Sequence, residues 1–236
     1  MLVSHRKKFI FTKTAKTAGT SVESFFEPFC MPDGEWAESK GREEYVSDSG
    51  IIGYRGPNTK GKKFYNHMSA AKIKAEIGDE IWDSYFKFTV VRNPFSKLVS
   101  AWYFGYKAHV TLLKSTLGCL RTPNSLSLIL ANKRDIHDFR TWVRTAAVSV
   151  DRDKYLLNGE VCVDHFIRYE ALDAGIKEVV ERTGAKQEGR EVPRHKVGVR
   201  SKDFEIHEFY DQRTEKIVRE LYDWEFDRFK YEMPQG

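Results

Sequence analysis

The stretch FIFTKTAKTAGTSVESFF, residues 9–26, sets an apolar run against a loop of Lys, Thr and Gly that opens onto an amphipathic segment. Phe9 to Phe11 reads as a short buried strand, because a compact apolar run followed by a Gly-containing turn is the parallel-strand pattern. Beyond the loop, Val22, Phe25, Phe26 and Phe29 recur at the spacing of one helix face. Thr20 and Glu23 have the form of a capping box at the start of that helix, and Pro28 is expected to end it. Backbone N–H groups at a helix N-terminus, with the helix dipole behind them, make a ready anion site. Lys16 supplies a neutralising charge, Gly19 lets the main chain approach closely, and Thr20 and Ser21 add hydroxyls. The plainer alternative is an ordinary turn before a capped helix, with solvated lysines. The loop is not of Walker A type, since GxxxxGK[ST] needs two glycines and a Lys immediately before Ser or Thr, so a nucleotide triphosphatase is demoted.

The same pattern returns further along. FKFTVV, residues 86–91, predicts a second buried strand, and Asn93-Pro94 supplies an N-cap followed by Pro at the first helical position. In the helix that follows, Phe95, Leu98, Val99 and Trp102 form the apolar stripe, whereas Ser96 and Ser100 share another face. Val161 to Ile167 is a third strand candidate, with a helix from Ala171 to Thr183 that stops at Gly184. Between these, residues 31–66 read as a long surface excursion, Ser69 to Trp82 as one helix capped by Ser69, and Gln212 to Phe226 as a final helix. Helical patches over Leu126–Ala131 and Phe139–Val148 leave residues 108–150 the least readable part. Strands alternating with helices predict an α/β fold: a single domain over residues 1–236, with a central, mostly parallel sheet flanked by helices and ligands gathered at the carboxyl ends of the strands.

Composition is consistent with this. At 236 residues, 41% of them hydrophobic and 14% aromatic, the chain can bury a real core. The formal net charge of +5 is a mild bias toward anionic partners. Three widely spaced cysteines suggest neither a disulfide framework nor a zinc site, and the seven histidines form no metal-binding motif. FIF is too short for a signal peptide core, and no run approaches the ~20 apolar residues of a membrane helix. A cytoplasmic enzyme is expected, the alternative being a truncated lumenal domain.

Three segments carry a resemblance. KTAKTAGTS followed by an apolar helix resembles the 5′-phosphosulfate loop of the carbohydrate sulfotransferases of the heparan, chondroitin and dermatan sulfotransferase-like family, with Ala15 in place of the family's Pro. FTVVRNPFSKLVSAWYFGYK is similar to that family's second signature, a strand ending in Arg, then Asp/Asn-Pro, then a helix bearing Ser. VDHFIRYEAL resembles a third segment. The resemblance implies a phosphate-loop-like sulfotransferase fold and 3′-phosphoadenosine 5′-phosphosulfate (PAPS) as donor, with adenosine 3′,5′-bisphosphate as product and no metal. It places Lys16 on the leaving phosphate oxygen and Thr17, Ala18, Gly19, Thr20 and Ser21 around the 5′-phosphate. Arg92 and Ser100 would hold the 3′-phosphate, and Lys196 and Arg200 would close over donor or acceptor from a basic loop. His67, in YNHMSAA, is the implied general base, with Glu23 and His195 as fallbacks; Arg168 and Glu170 read as a structural ion pair. The acceptor implied is a hydroxyl on a carbohydrate or similar molecule. Nucleic acid is not expected, and oligomeric state is not legible. Two readings compete: a small-molecule or nucleotide kinase, for which no Walker A pair or magnesium carboxylate is found, and a non-catalytic basic module for sulfated glycan or nucleic acid.

Overall fold

The computed structural model describes residues 1–39, 41–116, 136–146, 148, 150–186, 189, 191–193 and 204–235, with only the backbone described over 106–116. These residues gather into two compact units, Met1–Arg92 with Asp151–His195, and Asn93–Val150 with Lys196–Gly236.

The first unit is built on a sheet. Its strands are β1 (Leu2–Ser4), β2 (Phe9–Thr12), β3 (Tyr45–Ser47), β4 (Gly50–Ile52), β5 (Phe86–Val91) and, after a two-stranded ribbon of β6 (Leu156–Leu157) and β7 (Glu160–Val161), β8 (His165–Arg168). They lie in the order β3-β4-β1-β2-β5-β8. β2, β5 and β8 pair in parallel, while β1 pairs antiparallel with both β2 and β4, and β3 antiparallel with β4. Four of the six strands therefore point the same way, and their carboxyl ends meet at one end of the sheet. The α/β class and the strand at residues 86–91 are as the sequence reads, and the strand expected at Phe9 to Phe11 runs one residue further, to Thr12.

The differences have simple causes. β1, β3 and β4 are three residues each, too short for period-two alternation to register, and β4 sits inside the expected surface excursion although all three of its residues are buried. The expected third strand divides, because Glu160–Val161 turns into the ribbon and only His165–Arg168 joins the sheet. Ser69 caps its helix as expected, but the helix breaks at Gly78, whose φ of 85° separates α2 (Ala70–Ile77) from α3 (Asp79–Ser84).

Helices cover both faces of the sheet. α1 (Gly19–Phe26) and α6 (Leu172–Thr183) pack Val22, Phe25, Phe26, Ile176 and Val179 against Phe9, Phe11, Phe88, Val90 and Ile167. On the opposite face, Met68, Ile73 and Trp82 pack against Val3, Ile10 and Ile51. Phe88 is the aromatic centre, fully buried and in ring contact with Phe9, Phe11, Phe26 and Phe86.

The second unit is helical: α4 (Pro94–Thr116), α5 (residues 136–145), α7 (Gln212–Leu221) and α8 (Asp223–Phe229). Asn93 Oδ1 accepts the Phe95 N–H at 3.0 Å, the cap expected before Pro94. Phe95, Leu98, Val99, Phe139, Phe209, Val218 and Tyr222 form its core. The expected last helix is two, divided at Tyr222, and Leu126–Ala131 lies outside the described residues.

Truncating Phe88 to Ala removes the ring that joins β2, β5 and α1, and should destabilise the protein by about 3–5 kcal/mol. Urea unfolding monitored by circular dichroism measures this, and a loss under about 1 kcal/mol would mean that the aromatic cluster repacks without it.

Candidate active site

Lys13 to Ala18 leave the carboxyl end of β2 and turn into α1 without forming either element. Lys16 has φ 60° and Ala18 φ 61°, both left-handed, on either side of Thr17. A left-handed non-glycine residue costs about 1–2 kcal/mol, so this backbone persists only where its surroundings hold it. A left-handed residue followed by a right-handed one turns successive N–H groups toward one concavity, the geometry of an anion nest, and Ala18 (φ 61°, ψ 20°) followed by the helical Gly19 has that form. Ala18 stands at the N-cap of α1 with no side-chain cap. The expected capping box of Thr20 and Glu23 does not form, because the N-cap is Ala18, two residues earlier, and Glu23 turns into the protein interior.

The groups that hold the loop come from three other segments. Arg92, at the carboxyl end of β5, donates from Nη1 to the Lys16 carbonyl at 3.0 Å, and its guanidinium lies 4.0 Å from the centre of the Tyr169 ring. Asp151, which is buried, accepts the Ala15 N–H on Oδ2 at 2.9 Å. His67 meets the Lys13 carbonyl through Nδ1 at 3.2 Å. Inside the loop the Thr14 and Thr17 hydroxyls bond each other at 2.8 Å, and Thr14 also donates to the Val90 carbonyl. The Thr17 side chain is thus turned inward, leaving its backbone N–H as its available donor toward an anion. Gly19 is required by close approach, since a Cβ there would lie 2.9 Å from Lys13 Cγ.

His67 is itself left-handed, with φ 58°. A carbonyl oxygen can only accept, so Nδ1 carries the proton and Nε2 is left with a lone pair. The ring keeps an open edge to solvent, but the protein crowding it and then the charge of Lys13 lower its pKa to about 4. At neutral pH it is an uncharged imidazole, the form a general base requires.

Beneath the loop lies a buried ionic cluster that the sequence did not disclose. Lys13, read as one of two solvated lysines in the plainer account, is only 3% exposed and pairs with Glu23. Glu23 also accepts from Arg55 Nη1 at 3.0 Å and from the Met1 nitrogen at 2.8 Å. Arg55 continues to Glu27, which holds Arg42 at 2.9 Å and the Trp36 indole N–H at 3.1 Å. Burial alone would raise the pKa of Glu23; Lys13, the Met1 nitrogen and Arg55 outweigh it and hold the carboxyl well below its ordinary 4.5. A carboxylate so firmly ionised and surrounded by cations is a poor proton acceptor, which removes Glu23 as a fallback base.

The structure therefore brings together Lys16, Thr17, Ala18, Gly19, Thr20, Ser21, Arg92 and His67 around one loop, with Asp151, Tyr169, Lys13 and Asn66 as neighbours that sequence reasoning missed. The signal for Tyr169 was present in the third quoted segment, between the exposed Arg168 and Glu170. Asp151 and Arg55 carried no local signal, since each acts across a long separation in the chain. Ser100 lies on α4 in the second unit, and Lys196, Arg200 and His195 lie outside the described residues.

A mixed α/β sheet whose parallel strands β2 and β5 end beside a strained loop that leads into α1 has the architecture of a phosphate-loop type of nucleotide-binding fold. A family model described as the sulfotransferase family matches residues 1–232, and the chain belongs to that family. It is a sulfotransferase, an enzyme that transfers a sulfuryl group to an acceptor. No curated protein and no solved structure matches the chain. Among the described residues no helix is long and apolar enough to cross a membrane.

Glu23→Gln leaves Lys13 and Arg55 without their shared charge and should cost about 3–5 kcal/mol at pH 7. Because the folded-state pKa of Glu23 is depressed, its contribution is present above 4.5 and is lost as pH falls below that value. Urea unfolding between pH 7 and pH ~3 should therefore show a steeper acid decline in the parent than in the variant. Equal slopes would remove Glu23 from this role.

Proposed function

We propose that this chain transfers the sulfuryl group of PAPS to a hydroxyl of a carbohydrate acceptor by in-line displacement. The observation that carries the reading is the strained loop of residues 13–18, held open by Arg92, Asp151 and His67 while its own N–H groups and Lys16 stay grouped at the head of α1. Two left-handed residues without glycine are a stored cost, and an anion bound in the nest is what makes that cost useful.

The residues fit such a donor. The N–H groups of Thr17, Ala18, Gly19 and Thr20 would hold its 5′-phosphate, where the α1 dipole favours negative charge; the Ser21 N–H is already given to the Ala18 carbonyl at 2.8 Å. Arg92 provides a cationic group one strand away, suited to the 3′-phosphate by its planar fork. When bound, the donor supplies an activated sulfur whose leaving group is a phosphate. Lys16 holds the phosphate oxygen that keeps the electrons of the breaking S–O bond, and this electrostatic support acts where charge develops. His67 Nε2 takes the proton of the acceptor hydroxyl as its oxygen bonds to sulfur. The Nδ1–H bond to the Lys13 carbonyl fixes ring and tautomer, so base and leaving-group cation are set by the same loop.

Four outcomes test this. Adenosine 3′,5′-bisphosphate should raise the melting temperature of the full chain, and no shift at millimolar ligand would count against the donor assignment. Lys16→Ala should lower labelled-sulfate transfer by about 10²–10³-fold while the protein remains folded. The kcat/KM of the parent should fall as pH approaches the His67 pKa of about 4. His67→Gln should lower the rate by about 10²–10⁴-fold and abolish that acid limb. An unchanged pH profile would assign the proton to another group.

A further inference from the structure

The sulfotransfer reading gives roles to Lys16 and His67 but none to Asn66, the residue before His67. Both Asn66 and His67 are held by Lys13. The Lys13 carbonyl accepts from His67 Nδ1 at 3.2 Å, and the Lys13 ammonium donates to Asn66 Oδ1 at 3.4 Å. Lys13 is itself fixed: it is buried, lies close against Gly19, pairs with Glu23 and stands 3.5 Å from Thr20 Oγ1 in the first turn of α1. The backbone of Asn66 is tied as well, its N–H given to the Tyr54 carbonyl at 2.9 Å. Residues 66 and 67 are thus set in place against the loop by groups of the same unit.

The contact with Lys13 decides which way the Asn66 amide faces. An ammonium only donates, so it draws the carbonyl oxygen and repels the NH₂ end. Nδ2 is therefore turned away from Lys13. Asn66 is half-buried, no group among the described residues accepts from its Nδ2, and that nitrogen is not sealed from solvent. Two N–H donors of fixed orientation stand open beside the residue that takes the acceptor's proton.

The reaction has a group that needs such a donor. The acceptor oxygen bonds to sulfur, the S–O bond to the phosphate breaks, its electron pair stays on the phosphate, and the acceptor proton passes to His67 Nε2. The other sulfuryl oxygens stay on sulfur throughout and carry negative charge. Lys16 serves the phosphate oxygen and His67 the acceptor oxygen, so neither serves these. Asn66 borders both ends of the transfer, since it shares the Lys13 ammonium with Thr20 and is the chain neighbour of His67. We propose that Asn66 is a further catalytic residue, whose Nδ2 donates a hydrogen bond to an oxygen of the sulfuryl group in transfer while Lys13 holds the amide in the orientation this requires. The inference rests on the sulfotransfer reading above.

The test uses the full chain with PAPS and adenosine 3′,5′-bisphosphate, two ligands that differ only by the sulfuryl group. The Asn66 side-chain amide signals, identified by their loss in Asn66→Ala, should shift with PAPS in the absence of acceptor and stay near their free positions with the bisphosphate. The rate is read as single-turnover release of labelled sulfate from PAPS to water. Asn66→Asp keeps the size of the side chain and an oxygen for Lys13 but has no N–H. It and Asn66→Ala should each lower that rate by about 10- to 100-fold, the loss expected for one hydrogen bond to a charged group. The bisphosphate should bind Asn66→Ala within about threefold of the parent, which also shows that the variant is folded. A residue that only anchors Lys13 would instead leave Asn66→Asp close to the parent. Equal responses of the Asn66 signals to both ligands, an Asn66→Asp rate within about threefold of the parent, or a loss of bisphosphate affinity above about tenfold in Asn66→Ala overturns the role of Asn66. If the bisphosphate fails to bind the parent, the donor assignment falls, and this role with it.

Discussion

The site depends on the hydrogen bond from Arg92 to the Lys16 carbonyl, 3.0 Å long, because it ties a strained loop to the end of a different strand. Lys16 and Ala18 adopt a backbone that glycine adopts freely and other residues do not. Left alone, the segment would relax to a right-handed turn and its N–H groups would diverge. Arg92 from β5, Asp151 from the segment before the ribbon and His67 from the chain before α2 each grip one backbone group of the loop. None of these three contacts is local in sequence. The loop is therefore a product of tertiary structure, and its strained backbone is held by the packing of the first unit.

The buried cluster under the loop has a related effect. Burying Lys13, Arg55 and Glu23 is expensive, and their mutual attraction roughly offsets the desolvation instead of adding much stability. What the arrangement secures is position. Lys13 lies against Gly19, Glu23 fixes Lys13 to the first turns of α1, and Arg55 extends the connection to β4. The start of α1 thus has a fixed place without a side-chain cap, which explains why a capping-box sequence is present but not used as one.

The parts of this molecule that were legible in the sequence are those governed by local rules. Phe9–Thr12 and Phe86–Val91 are apolar runs bounded by turn residues, Asn93-Pro94 and Ser69 are caps, and Gly184 ends α6 in a left-handed conformation. Lys16 was singled out from the chemistry of its loop, and Arg92 and His67 through the resemblance of their segments to a known family; all three lie at the loop of residues 13–18. The three-residue strands β1, β3 and β4 were not, because so few residues carry no period and their burial comes from the sheet around them. Lys13 was misjudged for the same reason: nothing local shows that a lysine beside an anion loop is paired inward. Asp151, 136 residues from its partner Ala15, is beyond any reading of local sequence.

The claim that one preformed loop is the anion cradle is most directly tested by following backbone amide resonances of the 236-residue chain during titration with adenosine 3′,5′-bisphosphate. A cradle requires the largest shifts at the amides of residues 16–21, together with the side-chain N–H signals of Arg92. Saturating shifts that leave those amides unmoved and cluster elsewhere would contradict it.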